Sequence, residues 1–361
     1  MQTSQISTSF RKFGRGSALA VLVAVATAIV LLVAFSFGGE APIGATSTEL
    51  GDAALYARIV DRLRHGENYY SAAHIELLTG HYYPTLSVFN WRTPLLMSLV
   101  ALAPSTLWAQ IVLATITLIA GAMGVYLVNR EGNLDVAGPL ACLLIVSLCT
   151  SLVPGAVLFG EVVGGVLILA SCCCYGLRLW LPGMLLALLA LFVRELAAPY
   201  VVICLGLALL QGRRGELALG IAGLAAYAVY FLFHMHAVAA QLGPDDMADP
   251  SGGWIAFGGL HFLAGTAASN GAFVLAPVWI SAALLPVAFL GLCAFPSGAR
   301  MAMTVAAYAM LFCIAGKPFN VYWGALYTPL LSFGLVWAPF ALRDLLTVAR
   351  DTSESQFANA G

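Results

Sequence analysis

Residues 51–94 crowd together Asp52, Tyr56, Arg58, Asp61, Arg62, Arg64, His65, Glu67, His74, Glu76, His81 and Arg92. A carboxylate in such a cluster can take a proton from a hydroxyl, and a fixed guanidinium can hold and neutralise a phosphate. The crowding is informative because the rest of the chain is nearly free of charge. Of 361 residues, 61% are apolar and only 9% charged, against about 25% charged in ordinary soluble domains. With a mean hydropathy of +0.92, the chain reads as a polytopic membrane protein. Its net charge of −1 argues against a nucleic-acid partner. The eight cysteines fall inside apolar runs and read as small buried hydrophobes, with no disulfide framework. Neither His74 and His81 nor His234 and His236 stand at a zinc-binding spacing. No protein-built metal site is expected.

The elements that must position this cluster are transmembrane. Apolar runs of spanning length lie near 17–37, 106–128, 136–153, 157–177, 217–236, 272–295, 301–316 and 323–342. The first is too long for the apolar core of a cleavable signal and long enough to cross, so it reads as a retained helix. Residues 182–211 admit one helix with Arg194 and Glu195 at mid-bilayer, or two short helices meeting at that pair. Charge placement favours two. Ten Lys/Arg, at 11, 12, 15, 130, 178, 213, 214, 300, 343 and 350, then share the cytoplasmic side, as the positive-inside rule requires. Arg58, Arg62, Arg64, Arg92, Arg194 and Lys317 lie outside.

The expectation is an all-α protein of about ten spans in one transmembrane domain over 1–361, with both termini cytoplasmic and no soluble C-terminal domain. Large external loops cover about 38–93 and 237–270. In 51–65 the apolar residues recur at helical spacing against a charged side, the pattern of a helix lying in the membrane interface. Residues 254–262 read as a second such helix. Asp52 stands where a helix cap would, and Tyr69, Tyr70, Tyr82, Tyr83, Trp91, Tyr322 and Trp323 read as an aromatic belt.

One span, then Asp52-Ala-Ala-Leu-Tyr56 opening an external amphipathic helix that ends at Gly66, then Tyr69-Tyr70, resembles the first loop of the GT-C glycosyltransferases. Trp91-Arg92-Thr93-Pro94-Leu95-Leu96 stands where that family starts its next helix. Protein O-mannosyltransferases and lipid A aminoarabinose transferases carry a His-Pro-Pro-like version there, from which this chain departs. Leu191-Phe-Val-Arg194-Glu195 resembles the basic residue between two short helices midway through the family. Asn320-Val-Tyr-Trp323-Gly-Ala-Leu-Tyr327-Thr-Pro329 resembles the final-span motif of bacterial cell-surface glycopolymer members.

The resemblance implies transfer of a sugar from a polyprenyl-phosphate donor to a lipid or glycan acceptor on the external face of a bacterial inner membrane. Asp52 matches the family's acidic position and is the candidate general base. Arg194, Arg92 and Lys317 are the candidate phosphate cations, and Tyr56, Glu195 and Asn320 complete the candidate site. No bound cofactor is expected, although a divalent cation assisting the departing phosphate is compatible with this chemistry. A secondary transporter or lipid-linked sugar flippase is the alternative, and a non-catalytic glycopolymer assembly subunit is a third.

The topology makes a direct prediction. In a cysteine-free background, single cysteines at 67 and 247 react with an impermeant thiol reagent added outside, and those at 131 and 214 do not. External labelling at 214 would reverse the two-crossing reading of 182–211.

Overall fold

The computed structural model describes residues 6–37, 51–81, 83–131, 134–248 and 257–351. Lipid offers no hydrogen-bond partner to an exposed backbone, so an isolated apolar segment crosses as helix. The described residues form helices and no strand. In chain order these are α1 Arg15–Ser36, α2 Asp52–Arg64, α3 Tyr69–His81, α4 Pro94–Leu102, α5 Thr106–Arg130, α6 Leu134–Ser147 and α7 Gly160–Gly176. There follow α8 Trp180–Val193, α9 Ala198–Leu210, α10 Arg214–Ala239, α11 Gly259–Ala267, α12 Val278–Ala294, α13 Ala299–Ile314 and α14 Leu331–Arg350. Five helical stretches are long and apolar enough to cross a membrane: Arg15–Ser36, Thr106–Arg130, Asp135–Leu152, Arg214–Ala239 and Thr328–Arg350.

Residues 182–211 are two helices, as the charge placement requires. α8 has 14 residues and α9 has 13, about 21 and 20 Å at 1.5 Å per residue. Between them Arg194 is extended (φ −150, ψ 117), and Pro199 in the first turn of α9 has no N–H to continue a helix across the junction.

α7 is the element on which the site is assembled: α5, α8 and the 3-10 segment Pro318–Leu326 all pack against it. Two glycines allow this approach. A Cβ at Gly165 would lie 2.0 Å from the Ala325 carbonyl oxygen, and one at Gly160 would lie 3.2 Å from Arg194 Cδ.

Three sequence expectations need correction. The apolar face of α2, Leu55, Tyr56, Ile59 and Val60, is buried against α3 and α4; protein covers it, and the helix is not one lying open on the interface. Between α10 and α12 the described helix is α11, not 254–262, and its Phe262, Leu263 and Ala264 are buried beside α1, α13 and the Pro318–Leu326 segment. Residues 249–256 lie outside the described residues. The last span begins at Thr328, because residues from Pro318 onward wind as 3-10 turns with a break at Asn320 (φ −90, ψ 18).

α2 is pinned to α3 by charge. Glu76 is buried and accepts from Arg58 Nε at 2.7 Å and Arg62 Nε at 2.6 Å. Burial opposes its ionisation, yet the hydrogen bonds from Arg62 and Arg58 hold it below the usual carboxylate range. A carboxylate lowered in this way stabilises the fold above its unfolded value of about 4.3 and loses that contribution as pH falls through the folded one. Amide protection across 55–64 and 69–79 should therefore be full at neutral pH and fall below about pH 4. In Glu76→Gln it should be low throughout. Equal protection factors at neutral pH and about pH 3 in the parent would contradict this role.

Candidate functional site

Arg92 is the first residue whose geometry needs explaining. Pro94 fixes the first turn of α4 and keeps Thr93 extended (φ −80, ψ 144). The chain arriving from the turn Val88–Asn90 must therefore reverse at Arg92, which takes φ 58. A side chain in that region costs about 1–3 kcal/mol and persists only when its surroundings impose it. They do so here. The Tyr69 hydroxyl donates to the Trp91 carbonyl and, at 3.2 Å, to the Arg92 carbonyl. Trp91 Nε1 donates to the Thr85 carbonyl at 2.7 Å, and the Trp91 ring stacks on His74 at 5.3 Å.

His74 is held in turn by Asp246, 2.9 Å from its Nε2, so the loop after α10 is tied to α3 beside Trp91. Burial opposes ionisation of Asp246, but Thr85, the Gly243 N–H and His74 hold its proton affinity down.

The Arg92 guanidinium then points into a chain of polar groups. Its Nε donates to the Tyr56 hydroxyl at 3.0 Å and its NH2 to the Tyr322 hydroxyl at 3.3 Å. Burial, with Asp52 and Glu161 nearby, pushes the Tyr56 phenol up to about 12, so it stays neutral. The Tyr322 hydroxyl donates onward to Asp52 Oδ2 at 3.0 Å, and Tyr83 donates to Asp52 Oδ1. Asp52 is the first residue inside α2, the cap position is Gly51, and no side chain caps the helix. The capping reading of Asp52 is thereby removed; its carboxylate serves the tyrosines.

On the other side Arg92 NH2 lies 3.9 Å from Glu161 Oε1. That same oxygen is 2.8 Å from Arg194 Nε, and Arg194 NH1 pairs with Glu195. The side chains of Arg194 and Glu161 are each 3% exposed. These groups make one connected path, Asp52–Tyr322–Arg92–Glu161–Arg194–Glu195. Three carboxylates face two guanidiniums. Arg92, Arg194, Glu161, Glu195 and Tyr56 line a small cavity of about 10 Å³, room for about one water molecule.

Five of the seven predicted residues thus come together: Asp52, Tyr56, Arg92, Arg194 and Glu195. Lys317 and Asn320 are not among the residues lining the cavity. Lys317 is buried at the start of the 3-10 segment with its ammonium 6.0 Å from the Phe319 ring. Asn320 is fully buried, and its carboxamide has no hydrogen-bond partner among the described residues. The belt reading of aromatic residues missed Tyr83 and Tyr322; the signal available was the place of Tyr322 two residues after Asn320 in the quoted motif. Glu161, a lone carboxylate opening an apolar run, gave no local signal of its place between the two arginines. Among the described residues no group of three or more His, Cys, Asp or Glu is placed to hold a metal ion.

Because Arg194 pairs with two carboxylates at once, Arg194→Ala leaves both without their shared cation in a low-dielectric setting. Its removal should cost about 3–5 kcal/mol, and adding Glu161→Gln should recover a substantial part. A double-mutant cycle read by thermal or denaturant unfolding in detergent measures this coupling; additive effects would show that the pair is not an energetic unit.

Comparison with known proteins finds no matching family model, curated protein or solved structure. The functional reading therefore rests on this chain's own residues.

Proposed function

We propose that this protein is a membrane glycosyltransferase that passes a sugar from a polyprenyl-phosphate donor to a hydroxyl-bearing acceptor on the external face. The observation that supports this best is the connection of Asp52 through Tyr322 to two largely buried guanidiniums. Transfer needs a carboxylate to take the acceptor proton and fixed cations to receive the departing phosphate. Asp52 and Arg92 stand one hydrogen-bonded tyrosine apart, with Arg194 beyond, across Glu161.

In this reading the acceptor oxygen bonds to the sugar's anomeric carbon as its proton passes to Asp52. The bond from that carbon to the phosphate oxygen breaks, and the electron pair leaves with the lipid phosphate. Arg92 and Arg194 stabilise the charge that develops there. Their N–H groups are fixed before the reaction, which is the condition under which such donors are most effective. The Tyr83 hydroxyl on Asp52 Oδ1 occupies the place an acceptor hydroxyl would take. A lipid-anchored substrate suits a site among apolar helices, because its tail stays in the bilayer while its phosphate meets the arginines at the boundary.

A flippase is the second reading. The observation on its side is a second interruption, the 3-10 segment Pro318–Leu326 between α13 and α14, answering the break between α8 and α9. Transporters commonly bind at such paired breaks. The two readings separate on chemistry: a transferase cleaves the sugar–phosphate bond in detergent, where no compartments exist, and a flippase leaves that bond intact.

Asp52→Asn tests the assignment. The substitution is nearly isosteric, no cap is lost, and the amide oxygen still accepts from one tyrosine. The variant should fold, with an unchanged melting profile, and bind a polyprenyl phosphate lipid. Sugar transfer should fall by about 10²–10⁴-fold. Transfer at the parental rate would remove Asp52 from the mechanism.

A further inference from the structure

Glu161 stands in the first turn of α7, buried, with Oε1 between the two arginines: 2.8 Å from Arg194 Nε and 3.9 Å from Arg92 NH2. The nearer contact is close but poorly aimed. Neither Glu161 Oε1 nor Arg194 Nε makes a directed hydrogen bond among the described residues. The other arms are well engaged, since Arg194 NH1 has Glu195 and Arg92 has Tyr56 and Tyr322. The contact at Glu161 is thus electrostatic without the alignment that makes charged hydrogen bonds strong. It leaves a buried N–H facing a cavity and lacking a directed acceptor.

We infer that Glu161 is an internal substitute for the donor's phosphate, and that a singly charged polyprenyl phosphodiester displaces its carboxylate from between Arg194 and Arg92. The inference rests on the glycosyltransferase reading and adds the charge class of the donor. The displaced Glu161, in the first turn of α7, must carry its charge out of the cavity toward water; Arg92 and Arg194 then face only Glu195 across the cavity, leaving one positive charge. A phosphodiester supplies one negative charge and balances it. A diphosphate brings more, and uncompensated charge is expensive at sites this buried. Asp52 is outside the cavity lining and only partly buried, so water reaches it and screens it from this balance. With Glu161 in place, phosphate and carboxylate compete for the same guanidiniums, which keeps the unliganded site closed and nearly neutral.

The test uses the full chain in lipid nanodiscs. The probes are farnesyl methyl phosphate, a monoanionic polyprenyl phosphodiester, and farnesyl diphosphate. The parent should bind the diester more tightly than the diphosphate. Glu161→Gln removes the competing charge at constant shape and should bind the diester about ten- to hundredfold more tightly. Glu161→Asp, drawn back by one methylene, should shift affinity in the same direction by less, and it decides the question if the Gln variant fails to fold. The charge-balanced pair Glu161→Gln with Arg194→Gln should lose the gain, locating it at these side chains.

Unchanged or weaker diester binding by a folded Glu161→Gln, or a gain that survives loss of Arg194, would overturn the role of Glu161 and leave the donor site standing. Tighter binding of the diphosphate by the parent would overturn the charge class. Failure of the parent and every variant to bind either lipid would instead overturn the donor-site reading itself.

Discussion

The arrangement depends on one ion pair, Arg194 with Glu161, buried where two short helices meet a third. A guanidinium at this position is tolerable only with an anion beside it. Supplying that anion dictates much of the local architecture. α8 must stop at Val193 so that Arg194 can extend toward α7, and Gly160 must lack a side chain so that the arginine stem fits alongside. Glu161 must follow directly, and Glu195 completes the neutralisation from the same break. Two half-length helices, poor spanning elements by themselves, become stable because their junction is electrically closed.

From that pair the constraint propagates outward through Arg92 and Tyr322. Arg92 is strained at φ 58 and held by Tyr69 and by Trp91 under the His74–Asp246 clasp. Tyr322 comes from a segment that could not approach α7 if Gly165 bore a Cβ. The Arg194–Glu161 pair, the loop that holds Arg92, the loop that holds Asp246 and the segment before the last span therefore meet around one path of hydrogen bonds and ion pairs. This gives physical reasons for features that otherwise look unrelated: a positive φ on an arginine, a helix cut at mid-length, and a 3-10 stretch in place of a regular helix. Each puts a polar atom where a regular helix or strand would not.

Much of this was legible in the sequence because charge is scarce in it. Asp52, Arg92 and Arg194 stood out against an apolar background, and counting basic residues by side selected two helices over one for 182–211. What stayed hidden has definite causes. Aromatic residues near a membrane boundary serve equally as belt and as hydrogen-bonding groups, so spacing could not show that Tyr83 and Tyr322 reach Asp52. The contact from Tyr322 to Asp52 joins residues 270 apart, beyond any local pattern. Asp before an amphipathic stretch is the usual sign of a cap, yet here the helix starts one residue earlier than that sign implies and turns the carboxylate to other work. Lys317 and Asn320 were chosen for membrane depth and motif position, which fix height along a helix but not the direction in which a side chain faces.

The central claim is that Arg92 and Arg194 form one receptor for a lipid phosphate, facing the carboxylate that acts on the acceptor. A cryo-EM structure of the protein in nanodiscs with a bound polyprenyl phosphodiester tests it most directly. The account predicts phosphate oxygens within about 3 Å of guanidinium nitrogens from both arginines, Glu161 withdrawn from Arg194, and Asp52 on the sugar side of the phosphate. A lipid phosphate bound elsewhere, with the Arg194–Glu161 pair intact and Asp52 still closed by both tyrosines, would contradict it.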